Sequence, residues 1–425
     1  MNTRTLRKAA LYVALGACLG AMTMPVAMAA RAAGARAGRA SAGRQATEPH
    51  EANGATRTVT ASSDGAYRLT QLPVGDYRLQ LLRNGQPVGE GATVNVSLGG
   101  TTTVNLGAEG GVANLDAIEV VVNRIINRVD VFSTETATNI NREELARMPV
   151  DQSLTSVALL APGVIRGNSG FGGISFGGSS VAENSVFING LNVTDFYRRQ
   201  SFSTAPFAFF DQFQVKTGGY SVEFGRSTGG VINAVTRSGS NEFHGGVEFT
   251  FEPSAWTATA EDHLFSAVDG DGIAASATYR SSHDRTSFLK ANAWASGPLI
   301  RDRLFLFAMY EQRQTGSGYT NSSGSTWSNG DSDNGFWGAK LDWNITDNHR
   351  LELLAFSDEA ETNTSVYGYN FATRTVGSLT GETTAESGGK NGSATYIGHF
   401  GENFTAKAMY GVNRSGGLSC SPADG

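Results

Sequence analysis

The side chains best suited to proton transfer near neutrality are the histidines, and they stand singly at His50, His244, His263, His283, His349 and His399. No Ser/His/Asp arrangement stands out around them, and no Cys/His cluster has the spacing of a metal site. Gly170-Phe171-Gly172-Gly173-Ile174 has the glycines of a phosphate loop. It lacks the leading strand, the Lys-Ser/Thr pair and the following helix that would hold a phosphate, so it reads as an ordinary loop. Asp116-Ala117-Ile118-Glu119-Val120-Val121-Val122 is a short β-prone run between a Gly-rich stretch and Asn123-Arg124, and its plain reading is an edge strand. No catalytic residue, cofactor site or metal site is expected, and the chain does not read as an enzyme.

Composition narrows the class. A formal net charge of −6 argues against a nucleic-acid binder, which would carry a basic stripe or patch. Glycine, at 53 of 425 residues, exceeds the roughly 7% of average usage, and 17% charged residues falls below the usual value of about 25%. Both shifts suit sheet-rich, loop-rich structure.

The N-terminus carries the three parts of a signal peptide, expected to span 1–29. They are positive charges at Arg4, Arg7 and Lys8, an apolar stretch from Ala9 to about Val26, and Ala27-Met28-Ala29 as the cleavage site. The competing reading, a single membrane helix, is weakened by Gly16, Gly20 and Pro25 within the run. Cys18 leaves with this segment and Cys420 has no partner, so no disulfide framework follows. The remaining apolar segments are short, so a mature chain that enters a membrane must do so as a barrel.

Residues 30–54 are Ala, Gly, Arg and Ser with almost no large apolar side chain, and read as a low-complexity linker. Residues 55–107 give short strands separated by Ser63-Asp64-Gly65, Val74-Gly75-Asp76 and Asn84-Gly85, a small β-sandwich lacking its first strands. Two short helices follow. Asn141 with Glu144 resembles a capping box, and Asp151 precedes a segment carrying Leu154, Val157, Ala158 and Leu160. Strands are expected at 185–188, 191–193, 210–216 and 230–236, with a turn at Asn189-Gly190, which together make an α+β unit.

After Ser240 the pattern becomes alternation. Phe243, Gly245, Val247, Phe249 and Phe251 lie on one face against Glu242, His244, Gly246, Glu248 and Thr250 on the other, and the pattern returns around Trp337 and Leu351. Turns at 299–303, 346–348 and 401–403 are short, whereas the polar stretches 312–334 and 358–392 read as long loops. That asymmetry is the layout of an outer-membrane barrel. Tyr310, Trp337, Trp343 and Tyr410 suit its interfacial girdles, with ordinary sheet packing as the alternative. Roughly eight strands are expected, which is enough for the smallest complete barrel.

The fold class is mainly β: a small β-sandwich domain, an α+β domain and an antiparallel transmembrane β-barrel, complete or incomplete on these residues alone. This order of parts resembles the TonB-dependent outer-membrane receptors of the Oar-like group. The resemblance rests on Leu115-Asp116-Ala117-Ile118-Glu119-Val120, on Leu154-Thr155-Ser156-Val157-Ala158-Leu159-Leu160-Ala161-Pro162-Gly163-Val164 and on Phe187-Ile188-Asn189-Gly190-Leu191-Asn192-Val193-Thr194. It rests above all on Val215-Lys216-Thr217-Gly218-Gly219-Tyr220-Ser221-Val222-Glu223-Phe224-Gly225-Arg226-Ser227-Thr228-Gly229-Gly230-Val231-Ile232-Asn233.

The resemblance implies a carboxypeptidase-regulatory-like domain at 55–107 and a TonB box at 115–123, with Asp116 to Val122 pairing as an added strand with TonB of the inner-membrane complex. It further implies a plug at 124–238 inside the first strands of a barrel at 239–425. Family barrels of about 22 strands imply a chain truncated at its C-terminus. Arg166, Asn168, Tyr197, Arg198 and Arg199 lie in or beside polar loops of that plug. They are candidates to touch an extracellular substrate; the arginines could equally bond to an acidic barrel wall. The implied partners are TonB, outer-membrane lipid and an extracellular peptide, oligosaccharide or siderophore, with no nucleic acid. The implied location is the outer membrane of a Gram-negative bacterium, with plug and N-terminal domain facing the periplasm. The alternative function is adhesion or carbohydrate binding at the surface.

Overall fold

The computed structural model describes residues 35–39, 45–49, 56–61, 66–83, 86–99, 101–104, 135–145, 147, 154–167, 173–196, 202–225, 227–258, 264–268, 274–278, 283–321, 325–370, 373–401 and 404–420. The expected signal peptide and the run 116–122 lie outside the described residues. Among those described, no helix is long and apolar enough to cross a membrane.

The first domain has seven strands: β1 (Ala35–Arg39), β2 (Gln45–Pro49), β3 (Thr56–Thr60), β4 (Ala66–Leu69), β5 (Gly75–Arg83), β6 (Gln86–Val96) and β7 (Thr101–Thr103). They form a four-stranded sheet in the order β3-β2-β5-β6 and a three-stranded sheet in the order β4-β1-β7. Tyr67 and Leu69 of one sheet pack with Tyr77, Leu79, Leu81 and Val96 of the other. The linker expected at 30–54 is therefore corrected, because it supplies β1 and β2, each in the middle of its sheet. A ladder is made by backbone groups, so neighbours that bring their own apolar side chains can take up an Ala/Gly/Arg segment.

The central domain contains β8 (Thr136–Asn141), α1 (Arg142–Leu145), α2 (Leu154–Ala158), β9 (Val164–Arg166), β10 (Ile174–Phe176), β11 (Ser185–Ile188), β12 (Leu191–Asn192), β13 (Phe210–Gly218) and β14 (Val231–Thr236). Its sheet runs β12-β11-β14-β13-β8, with β11 and β14 parallel. The expected capping box is present: the Glu144 amide donates to Asn141 Oδ1 at 2.8 Å, and the Asn141 amide to Glu144 Oε2 at 3.4 Å. Asn189-Gly190 makes the β11–β12 turn with φ of 49° and 86°, the left-handed pair that a tight hairpin needs.

The remainder is antiparallel: β15 (His244–Glu252), β16 (Leu264–Val268), β17 (Ala274–Thr278), β18 (Arg285–Ile300), β19 (Leu304–Thr320), β20 (Thr326–Thr346), β21 (His349–Ser357), β22 (Ala360–Asn370), β23 (Thr375–Gly388), β24 (Lys390–Phe400), β25 (Phe404–Val412) and β26 (Gly416–Cys420). β16 and β17 form a separate hairpin. The main path β15-β18-β19-β20-β21-β24-β25 is an open sheet, extended by β22, β23 and β26.

Directly paired residues share a face, so the register sorts the side chains of this sheet. Leu304 pairs with Trp343, Leu306 with Leu341, Ala308 with Ala339 and Tyr310 with Trp337, and β21 continues the row with Leu351, Leu353 and Ala355. This outer face is apolar between an aromatic level at Trp343 and another at Tyr310 and Trp337. At about 3.4 Å per residue the span is roughly 20 Å, close to the apolar band of about 25 Å on membrane barrels.

The expected long loops at 312–334 and 358–392 are also corrected. They are largely strand, since β19 and β20 stay paired out to Thr320 and Trp327 while β22 and β23 form a further hairpin. Polar side chains suit a ladder that continues beyond the apolar band into water, where its backbone bonds still hold.

Candidate functional site

The glycine-rich signature around Gly229-Gly230 is explained by close packing. The Asn184 side chain donates to the Ile174 carbonyl at 2.6 Å and accepts from the Gly230 amide at 2.9 Å, tying β10, β11 and β14 together. A Cβ on Gly230 would lie 2.1 Å from the Phe176 ring, and one on Gly229 would lie 2.4 Å from Asn184 Oδ1. Those glycines let backbone approach side chain, and no ligand is needed to account for them.

The central domain sits on the inner face of the large sheet. Phe209, fully buried, packs its ring against Phe307, Phe336 and Phe356 at centroid distances of 6.1, 5.2 and 6.1 Å. The Arg237 guanidinium stacks 3.6 Å over Trp294 and 4.9 Å from Phe307, and burial lowers its pKa to about 10, so it stays charged at neutrality. Polar contacts surround this apolar centre. Asn189 Nδ2 donates to Glu352 Oε1 at 3.0 Å, Lys340 Nζ to Ser238 Oγ at 2.9 Å, and the Thr204 amide to Asp358 Oδ2 at 2.7 Å.

The wall itself is charged where it faces inward. Lys340 lies 3.2 Å from Glu352, and Arg350 lies 2.5 Å from Asp342 and 3.2 Å from Glu352. On neighbouring strands, Glu311 lies 3.3 Å from Lys290 and 2.5 Å from Arg313. These charges are paired within the wall, while Glu311 Oε2 and Asp342 Oδ2 accept no hydrogen bond among the described residues. The arrangement seats a folded domain through an apolar centre and a polar margin.

A family model described as the TonB-dependent receptor plug domain matches residues 130–231. The TonB-dependent transporter Oar of Myxococcus xanthus is 31% identical over 267 residues, which is 59% of this chain and 23% of that protein. Both are similarities to TonB-dependent receptors and transporters. The chain spans under a quarter of the length of that relative. Among solved structures, the siderophore receptor PirA from Acinetobacter baumannii matches with a TM-score of 0.41 at 18% identity, covering 64% of this chain and 39% of that one. A ferric enterobactin receptor from Pseudomonas aeruginosa matches with a TM-score of 0.40 at 16% identity, covering 64% and 40%.

Within the region that matches the plug model, Arg166 ends β9, is exposed, and pairs with Ile174 of β10. Asn168, Tyr197, Arg198 and Arg199 lie outside the described residues, although Thr194 and Phe202, which flank the last three, are paired. Arg166 forms none of the plug–wall contacts above. Sequence reasoning missed Phe209, Arg237 and Asn189 as the residues that seat the plug. Arg237, a lone cation after the apolar strand β14, was the one available signal.

Asp211 adds a pH-dependent contribution. Burial pushes its carboxyl above the ordinary range, against the opposing pull of Arg142, Lys340 and Arg237. The folded value lies above the unfolded one, so stability from this group is fully present below the ordinary carboxylate pKa. It is lost as pH rises through the raised value. Urea midpoints of Asp211→Asn compared with the parent between about pH 4 and 7 are expected to show a flatter decline in the variant. Parallel profiles would refute the role given to Asp211.

Proposed function

We propose that this chain is the N-terminal part of a TonB-dependent transporter of the outer membrane. In this reading an extracellular ligand binds plug and outer loops, and import is driven by energy passed through the TonB box formed by Asp116, Ala117, Ile118, Glu119, Val120, Val121 and Val122. The observation that carries the reading is the plug, seated on the inner face of an open antiparallel sheet by a small aromatic centre and polar margins. A domain held in this way can be shifted without unfolding the wall. The β-prone segment immediately before it is suited to add as a strand to a partner sheet through main-chain hydrogen bonds.

The proposed division is a signal peptide at 1–29, the small β-domain through Val104, the box within 115–123, the plug at 124–238 and barrel strands from 239 onward. Plug and N-terminal domain face the periplasm, and the aromatic-bounded band meets lipid. Arg166, Asn168, Tyr197, Arg198 and Arg199 are proposed ligand contacts, for a peptide, an oligosaccharide or a siderophore. TonB with its inner-membrane complex is the proposed partner.

Deleting 116–122 from the full-length protein is expected to abolish energised uptake while surface binding of the ligand persists. Uptake at the parental rate would end the coupling proposal, and cell adhesion as the sole retained activity would favour a surface-binding role.

A further inference from the structure

Among the described residues, the small β-domain meets the plug at Leu98 and Gly99. After β6 the chain turns at Leu98 and Gly99, and Leu98 is buried at 4% exposure. Its amide donates to Gln212 Oε1 at 3.1 Å, and its carbonyl accepts from Gln214 Nε2 at 2.8 Å. The same Gln214 nitrogen donates at 2.9 Å to Asn139 Oδ1 on β8, the edge strand of the plug sheet. One buried amide therefore holds the small domain and the edge strand together. Gly99 has φ of +66°, and a Cβ there would lie 2.7 Å from that nitrogen, so the close approach requires glycine.

The two ends of the segment 105–134 are also held. Val104 O accepts from Tyr67 Oη at 2.7 Å, and Glu135 takes Lys216 Nζ at 2.6 Å and the Ser221 amide at 3.1 Å.

We propose that the small β-domain is an intramolecular clamp on the plug. Docked through Leu98 and Gly99, it holds β8 in the plug sheet by way of Gln214. The clamp stands on this geometry alone.

The test is hydrogen exchange on the purified full-length protein in detergent. Gly99→Asn tolerates the left-handed backbone but puts a Cβ against Gln214, which must give up its bonds to Leu98 and Asn139. Amides of Thr136–Asn141 are expected to exchange about tenfold faster, the scale of one net hydrogen bond, while those of β11 and β14 are unchanged. Gln212→Ala, which leaves Gly99 in place, is expected to shift the same amides in the same direction. Unchanged exchange in β8 for both variants would overturn the clamp.

Discussion

Replacing Phe209 by alanine is expected to cost about 3–5 kcal/mol and to loosen the plug from the wall, the range for removing a fully buried phenylalanine. The ring meets Phe307, Phe336 and Phe356 on three wall strands, and it lies directly over Gly338, whose missing side chain makes its seat. A Cβ on Gly338 would stand 2.4 Å from Phe209 Cε2, so Gly338→Ala is expected to produce the same loosening from the opposite side of the contact. Thermal melting in detergent, followed with hydrogen exchange of β13, reads both. Phe209→Leu fills most of the volume and is expected to recover much of the loss. A melting point unmoved by Phe209→Ala would mean that the polar margin alone seats the plug.

The sheet was legible in the sequence because alternation depends on period alone. Trp337, Ala339, Leu341 and Trp343 fall on one face and Lys340, Asp342 and Asn344 on the other whatever lies behind them. The turn at Asn189-Gly190 was legible for a related reason, since few residue pairs adopt two successive left-handed conformations. The strands at 35–39 and 45–49 were hidden because they contribute backbone while their neighbours contribute the core.

The polar reaches of β19 and β20 were hidden because composition separates water from lipid, which is a different boundary from strand against loop. The plug seat was hidden most completely. Phe209 and Gly338 are far apart in the chain, and neither carries a local pattern that names the other. Gln214 and Gly99 share that difficulty. The candidate ligand residues are legible only as polar loop positions, because a ligand site on a plug is defined by which loops face outward together.

The second large effect is expected at Glu135. Lys216 is 3% exposed and lies 2.6 Å from the Glu135 carboxylate, with the Phe224 ring 4.5 Å from its ammonium. Glu135→Gln keeps an acceptor for the Ser221 amide but leaves the ammonium without its close counter-charge, and breaking a buried pair in this way costs about 3–5 kcal/mol. Glu223 also feels the Lys216 charge. Burial holds its carboxyl above the ordinary range while Lys216 pulls it down, so it takes over only in part. The loss falls at the start of β8, where the segment 105–134 joins the plug. It is therefore expected to appear as faster exchange of Thr136–Asn141, ahead of any change in β11 or β14. The companion variant Glu135→Gln with Lys216→Met removes both charges and is expected to regain most of the lost protection, since an apolar replacement of a buried pair is near neutral. If the double variant is no better than Glu135→Gln alone, the ion pair is not what anchors β8. The anchor of β8 would then have to be sought in the backbone ladder between β8 and β13.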